Sequence, residues 1–180
     1  MASMRTDGDG PPEPRNPEDR ADRWSLPDLG RRGGGWVALQ AVLFVSAAGV
    51  GWYGARWPDA ARQGLAIAAA VTFVAGVALL LAGGAGLGRQ LTPFPRPVAS
   101  GELRQDGIYG LVRHPIYGGV LLLLLAWALA SSPWALLALA LAAVFFDAKR
   151  RREERWLEQQ YADYATYRER VRRRFIPFLW

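Results

Sequence analysis

Two stretches of the chain, Trp36 to Tyr53 and Leu65 to Leu87, contain no Lys, Arg, Asp or Glu. A soluble domain spreads its apolar residues through amphipathic periods, whereas an unbroken apolar run of about 20 residues matches the thickness of a bilayer core. The pattern therefore predicts two membrane helices, the first from about Trp36 to the turn at Trp57, Pro58 and Asp59, the second from about Leu65 to Leu87. Trp36, Trp52 and Trp57 are placed to sit at the membrane interfaces. A third apolar block, Pro115 to Phe146, is interrupted by Ser131, Ser132 and Pro133. Ser at an N-cap followed by Pro at the first helical position starts a new helix, so the block reads as a tight helical hairpin.

The polar segments are equally patterned. Residues 1–35 are rich in Pro, Gly, Asp and Arg without an apolar period, and they read as a disordered cytoplasmic tail with no signal peptide. Gly88 to His114 carries Pro93, Pro95 and Pro97, which forbid a regular helix, together with polar residues that need water or a polar cavity. From Asp147 to Tyr161 the composition is helical but charged. A Tyr- and Arg-rich tail then ends in the apolar Phe175 to Trp180, expected on the cytoplasmic surface with Phe178 and Trp180 inserted at the interface.

Charge fixes an orientation. Of the 22 Lys and Arg residues, only Arg56 and Arg62 lie between the first two apolar runs. A hairpin puts the other twenty on one side, as the positive-inside rule requires; a single kinked helix would strand ten of them outside. The expected fold is thus all-α: a multi-pass cell-membrane protein of about four transmembrane helices, both termini cytoplasmic, with a C-terminal helical hairpin. The hairpin arms are short for the hydrocarbon core, about 25 Å for 17 residues. The net charge of +6 follows from the cytoplasmic loops and does not call for nucleic acid. With 180 residues the chain makes one compact unit. No Cys is present, which removes thiol nucleophiles and thiolate metal sites, and a single His makes metal catalysis a poor reading.

The hairpin returns the chain to the side it left, so Arg113, His114 and Tyr117 approach Glu153 and Glu154. At these residues the sequence resembles the isoprenylcysteine carboxyl methyltransferase family. Gly107, Ile108 and Tyr109, followed by Arg113, His114, Pro115, Ile116, Tyr117 and Gly118, look like its G-x-Y-x-x-x-R-H-P-x-Y-x-G signature. Beyond the hairpin, Glu153, Glu154 and Leu157, then Tyr161, Tyr164, Tyr167 and finally Ile176 and Pro177, follow its E-E-x-x-L tract, its tyrosines and its terminal I-P. The likeness runs from about Leu91 to Pro177, with Tyr161 and Ala162 standing where the family usually has Phe-Gly.

The resemblance implies methyl transfer from S-adenosylmethionine to a lipid-like acceptor, with a cofactor site on the cytoplasmic face. It implies residues 88–180 as the methyltransferase core behind two helices in 36–87. It further implies Arg113 and Glu154 as catalytic residues, and Gly107, Tyr109, His114, Pro115, Tyr117, Glu153, Glu154, Tyr164 and Tyr167 around the cofactor. The chemistry agrees. Glu153 or Glu154 can accept from the cofactor's ammonium or ribose hydroxyls, and Arg113 or His114 can donate to its carboxylate. The tyrosines can enclose adenine or face the sulfonium. Gly107, Gly110, Gly118 and Gly119 would let backbone approach the cofactor. In-line methyl transfer needs orientation rather than a nucleophile, and only an amine or hydroxyl acceptor needs a base, for which Glu153, Glu154, His114 and Asp147 are the candidates.

Structural roles compete for several of these residues. Asp147 has Arg151 at i+4 and is read as a structural pair; Tyr161, Tyr164 and Tyr167 can be a packing stripe; the arginines from Arg168 to Arg174 suit anionic headgroups. Two other functions stand beside methyl transfer: an NADPH-dependent membrane reductase of sterol or enone type, which needs more phosphate-binding cations and usually more spans, and a non-catalytic membrane scaffold.

Overall fold

A computed structural model describes residues 29–30, 33–97 and 100–177. Among them every regular element is helical: α1 Gly34–Tyr53, α2 Asp59–Leu87, α3 Pro115–Ser131, α4 Ala135–Gln160 and α5 Tyr164–Arg170, with 3₁₀ turns at Gly88–Gln90 and Gly107–Gly110. Most of the expected tail in 1–35, and also Phe178 and Trp180, lie outside the described residues.

α1 and α2 are long and apolar enough to cross a membrane. They leave much of that surface uncovered: Val42, Val45, Val71, Val74 and Leu81 are each more than half exposed. An apolar surface of this extent is not stable in water and marks contact with lipid. α2 starts at Asp59, a turn and a half before its apolar run, with Asp59 in the first turn paired to Arg62 at 2.8 Å. Its 29 residues span about 43 Å.

α3 packs on α2 more extensively than any other pair of helices. Small residues make that possible. A Cβ on Gly119 would stand 2.9 Å from the Gly76 carbonyl, and one on Gly83 would stand 2.8 Å from Ile116. Close backbone approach through small residues substitutes for the hydrophobic drive that lipid does not supply. α1 packs instead on α4 and more lightly on α3. Trp127 on α3 donates to the Ala47 carbonyl at 3.1 Å, and Trp36 packs on Phe145 with ring centroids 5.6 Å apart. Trp36 is therefore a buried packing residue and not an interfacial anchor.

The expected hairpin is present as α3 and α4 joined by residues 132–134. Its second arm starts two residues later than the Ser-Pro signal suggested. Ser132 ends α3 in an extended conformation, and its hydroxyl accepts from the Trp134 N–H at 3.3 Å, so α4 begins at Ala135.

The C-terminal segment departs from the surface tail expected of it. Phe175 is fully buried against Leu121, Ala142 and Phe146. The segment lies alongside the start of α3, where the Arg113 and His114 amides donate to the Arg173 and Arg174 carbonyls at 3.1 and 2.8 Å. A Cβ on Gly118 would come within 1.9 Å of the Phe175 carbonyl, so this glycine, like Gly119, is spent on packing within the protein rather than on approach to a cofactor.

Candidate active site

Pro115 opens α3 at its first helical position, where its missing N–H costs nothing, and the His114 carbonyl accepts the first helical bond from Gly118 at 3.1 Å. Arg113 and His114 are thereby held on the extended turn just before the helix. Three residues after His114, Tyr117 stacks on its ring, 5.4 Å between centroids and 6° between planes.

Glu153 and Glu154 are neighbours on α4, so about 100° of helix rotation separates their side chains. That rotation divides their roles. Glu153 faces a cavity and accepts from the Tyr117 hydroxyl at 2.5 Å, with His114 Nδ1 3.9 Å away. Glu154 faces the protein interior as a buried hub. Its Oε1 accepts from Arg113 Nε at 2.9 Å and lies 3.0 Å from His114 Nε2, while its Oε2 accepts from Arg150 Nη1 at 2.8 Å. Burial raises the cost of its charge, but the His114 hydrogen bond and the Arg113 and Arg150 guanidiniums outweigh that and hold the carboxyl near 2. Arg113 is anchored further by the Val171 and Arg172 carbonyls, which its Nη1 reaches at 2.6 and 3.0 Å.

The cavity measures about 430 Å³, within the range of about 300–1,000 Å³ usual for small-molecule sites. Its lining mixes polar and aromatic side chains, Tyr109, Arg113, His114, Glu153, Tyr164 and Tyr167, with apolar ones from three helices, Leu87 on α2, Ile116 and Val120 on α3 and Phe146 on α4. Tyr109 donates to the Gly83 carbonyl at 3.2 Å and Tyr167 to the Tyr109 carbonyl at 2.8 Å, which fixes both rings. The Tyr164 hydroxyl, buried in the wall, has no hydrogen-bond partner among the described residues. Burial, and then the Glu153 charge, keep Tyr109 protonated well above its ordinary range; burial and the Glu154 charge do the same for Tyr164, and burial takes Tyr167 to about 12. All three phenols are hydrogen-bond donors at neutral pH.

Of the residues singled out from the sequence, Tyr109, Arg113, His114, Pro115, Tyr117, Glu153, Tyr164 and Tyr167 converge on this cavity. Glu154 stands behind its wall. Gly107 is not part of the lining; at φ 58° it begins the 3₁₀ turn that carries Tyr109. Tyr164 and Tyr167 also pack with Val171 and Leu157, so packing and lining coincide in the same rings. Asp147 is the structural residue expected, bound by Arg151 at 2.7 Å and also by Arg150 at 2.7 Å. Arg168 pairs with Glu158, and Arg170 Nη2 reaches Gln105 at 2.6 Å. Among the described residues no three His, Asp or Glu side chains gather as a metal site.

Lys149 and Gln40 are among the lining residues that the sequence did not single out. Lys149 lies one helical turn before Glu153 on the same face of α4, and Gln40 is an isolated amide within the first apolar run. Their spacing was the available signal, but nothing in the sequence said that the two helices meet there.

The described residues thus define a class: an all-helical, membrane-associated protein with one cavity lined by both charged and apolar side chains. The model of the phospholipid methyltransferase (PEMT) family matches residues 65–164, more than half of the chain, and the chain belongs to that family, which also includes the isoprenylcysteine carboxyl methyltransferases. Members of this family are membrane methyltransferases acting on lipid-like substrates and generally use S-adenosylmethionine. No curated protein matches the chain at a significant level.

Proposed function

We propose that this protein transfers a methyl group from S-adenosylmethionine to a lipid-like acceptor, the favoured acceptor being the carboxylate of an isoprenylated cysteine or a related prenyl or lipid compound. The observation that carries the reading is the mixed lining of one cavity. Charged and aromatic side chains share it with apolar side chains of helices whose outer faces are exposed and apolar.

The residues present fit the cofactor. Tyr109, Tyr164 and Tyr167 offer aromatic faces, and Glu153 a carboxylate for an ammonium or a ribose diol. When bound, the cofactor supplies an electrophilic methyl group on a sulfonium. The protein's own task is orientation and exclusion of water. Arg113 and His114 are held in place by Glu154 and the C-terminal segment, and Tyr117 fixes Glu153. Glu154 and Arg113 are the pair on which the site depends, Glu154 acting through Arg113 and His114. A carboxylate acceptor needs no base; for an amine, Glu153 is the carboxylate that faces the cavity.

In this reading all four long helices cross the bilayer, α3 and the apolar half of α4 as a short hairpin, with both termini and the cofactor site cytoplasmic. The catalytic unit is residues 88–180, carried by the helices within 36–87 and preceded by a cytoplasmic tail in 1–35. α1 packs on α4 and α3, while α2 packs on α3, and the acceptor enters laterally between the first two spans. The exposed Arg172 and Arg173 meet anionic headgroups.

Isothermal titration of the detergent-purified protein with S-adenosylhomocysteine and with NADPH tests the proposal. Binding of the first alone, lost in a His114→Ala, Glu154→Gln double variant, is the expected result. Binding of NADPH alone would make the protein a reductase, and binding of neither would leave a scaffold.

A further inference from the structure

Lys149 is the most deeply buried cation described, 2% exposed, and it lines the cavity. Its ammonium donates to Gln40 Oε1 at 2.7 Å and to the Pro93 carbonyl at 3.3 Å, and lies 5.2 Å from the centroid of the Tyr117 ring. All of these partners are neutral. Among the described residues no carboxylate comes within ion-pair distance of it, in contrast to the buried Arg113 and Arg150, which share Glu154. Glu153, one turn further along α4, accepts from the Tyr117 hydroxyl and keeps its charge, which acts on Lys149 from beyond ion-pair distance. A buried charge held by dipoles alone is costly, and proteins keep such charges compensated by an opposite one. Glu153 compensates the ammonium only at a distance, and an anionic group of a ligand in the cavity would do so directly.

The position of the ammonium says which part of a ligand. Lys149 stands on α4 between Phe146 and Glu153, one helical turn from each, and lines the cavity together with them and with Val120. An amphiphile whose tail lies along Phe146 and Val120 brings its headgroup to Nζ. We propose that Lys149 is a specificity-determining residue that receives an anionic oxygen group, carboxylate or phosphate, at the head of the amphiphile, and that it excludes cationic headgroups. Identification of that amphiphile as the methyl acceptor rests on the function proposed above. Gln40 and the Pro93 carbonyl serve as the clamp that aims the ammonium, which explains a lone amide in α1 and the approach of the proline-rich loop to α4.

The test uses the full chain in nanodiscs of zwitterionic lipid, titrated calorimetrically with dodecyl phosphate, with dodecyltrimethylammonium and separately with S-adenosylhomocysteine, for wild type, K149Q and K149R. Wild type and K149R should bind the phosphate at least about tenfold more tightly than the ammonium compound, and K149Q should lose that preference. Partitioning into the disc is common to all three proteins and cancels in the comparison, as does any contribution from Arg104, which also lines the cavity. Affinity for S-adenosylhomocysteine should stay within about twofold throughout. Equal affinity of wild type for the two amphiphiles overturns the proposal, and this arm decides the matter even if K149Q does not fold. An equal preference in K149Q also overturns it, as does a tenfold loss of S-adenosylhomocysteine binding in K149Q, which would assign the cation to the cofactor's carboxylate. If wild type binds no S-adenosylhomocysteine while the anion preference and its loss in K149Q persist, the methyl-transfer reading fails and the anion site stands.

Discussion

Replacing Glu154 by Gln tests how the site is held together. Its carboxylate is buried and accepts from two guanidiniums, at 2.9 Å from Arg113 and 2.8 Å from Arg150, with His114 Nε2 at 3.0 Å. The Gln keeps one acceptor oxygen but removes the charge and turns an N–H donor toward a cation. Breaking a buried ion pair by removing one partner costs about 3–5 kcal/mol. The proton affinity gives a similar figure: the fall of the carboxyl from an ordinary 4.5 to about 2 corresponds to about 3 kcal/mol at 1.36 kcal/mol per tenfold change. For a chain of this length such a loss lowers Tm by about 6–12 °C. Eight Trp residues allow melting to be followed by intrinsic fluorescence, and the absence of Cys rules out thiol-reactive dyes. The pH dependence has a definite sign. Because the folded pKa is depressed, the stabilisation is fully present above about pH 4.5 and is lost as pH falls toward 2. Wild type should therefore lose its advantage over E154Q across that window. An E154Q protein that melts within about 1 °C of wild type at pH 7 would refute the hub described here.

Four further outcomes follow from the geometry. Tyr117→Phe removes the 2.5 Å bond to Glu153 and should lower kcat/KM for methyl transfer by about tenfold or more with Tm nearly unchanged, since the Phe ring keeps the stack on His114. Gly118→Ala places a methyl group 1.9 Å from the Phe175 carbonyl and should destabilise by about 1–3 kcal/mol, read as a lower Tm together with easier proteolysis of the C-terminal segment. Arg151→Ala breaks only an exposed arm of the Asp147 pair and should change stability by less than about 1 kcal/mol in the same melting assay. Arg62→Cys and Arg104→Cys, each introducing the sole thiol of the chain, should be labelled by an impermeant maleimide from opposite sides of the membrane; labelling from the same side would refute the four-span topology.

The sequence by itself determined the helical class, the two lipid-facing helices and the position of the hairpin. Those features are local: an unbroken apolar run needs only its own length to demand a membrane, and Ser132-Pro133 interrupts a helix whatever surrounds it. The polar signature before Pro115 and the Glu153-Glu154 tract could be matched as a pair because the hairpin has to bring its two ends together. Tertiary structure decided what each residue of that pair does. Glu153 and Glu154 are indistinguishable as letters, and only the docking of α4 against α3 turns one to the cavity and the other to Arg113 and Arg150. The glycines after Pro115 looked suited to a cofactor, yet Gly118 and Gly119 are occupied by the Phe175 carbonyl and by α2. Phe175 belonged to a tail expected on the surface and proves to be core. Lys149 and Gln40, 109 positions apart, acquire meaning only where α1 crosses α4. Helix propensity and membrane crossing are written in neighbouring residues, whereas the assignment of a charge to a cavity or a wall depends on long-range contacts that no local pattern encodes.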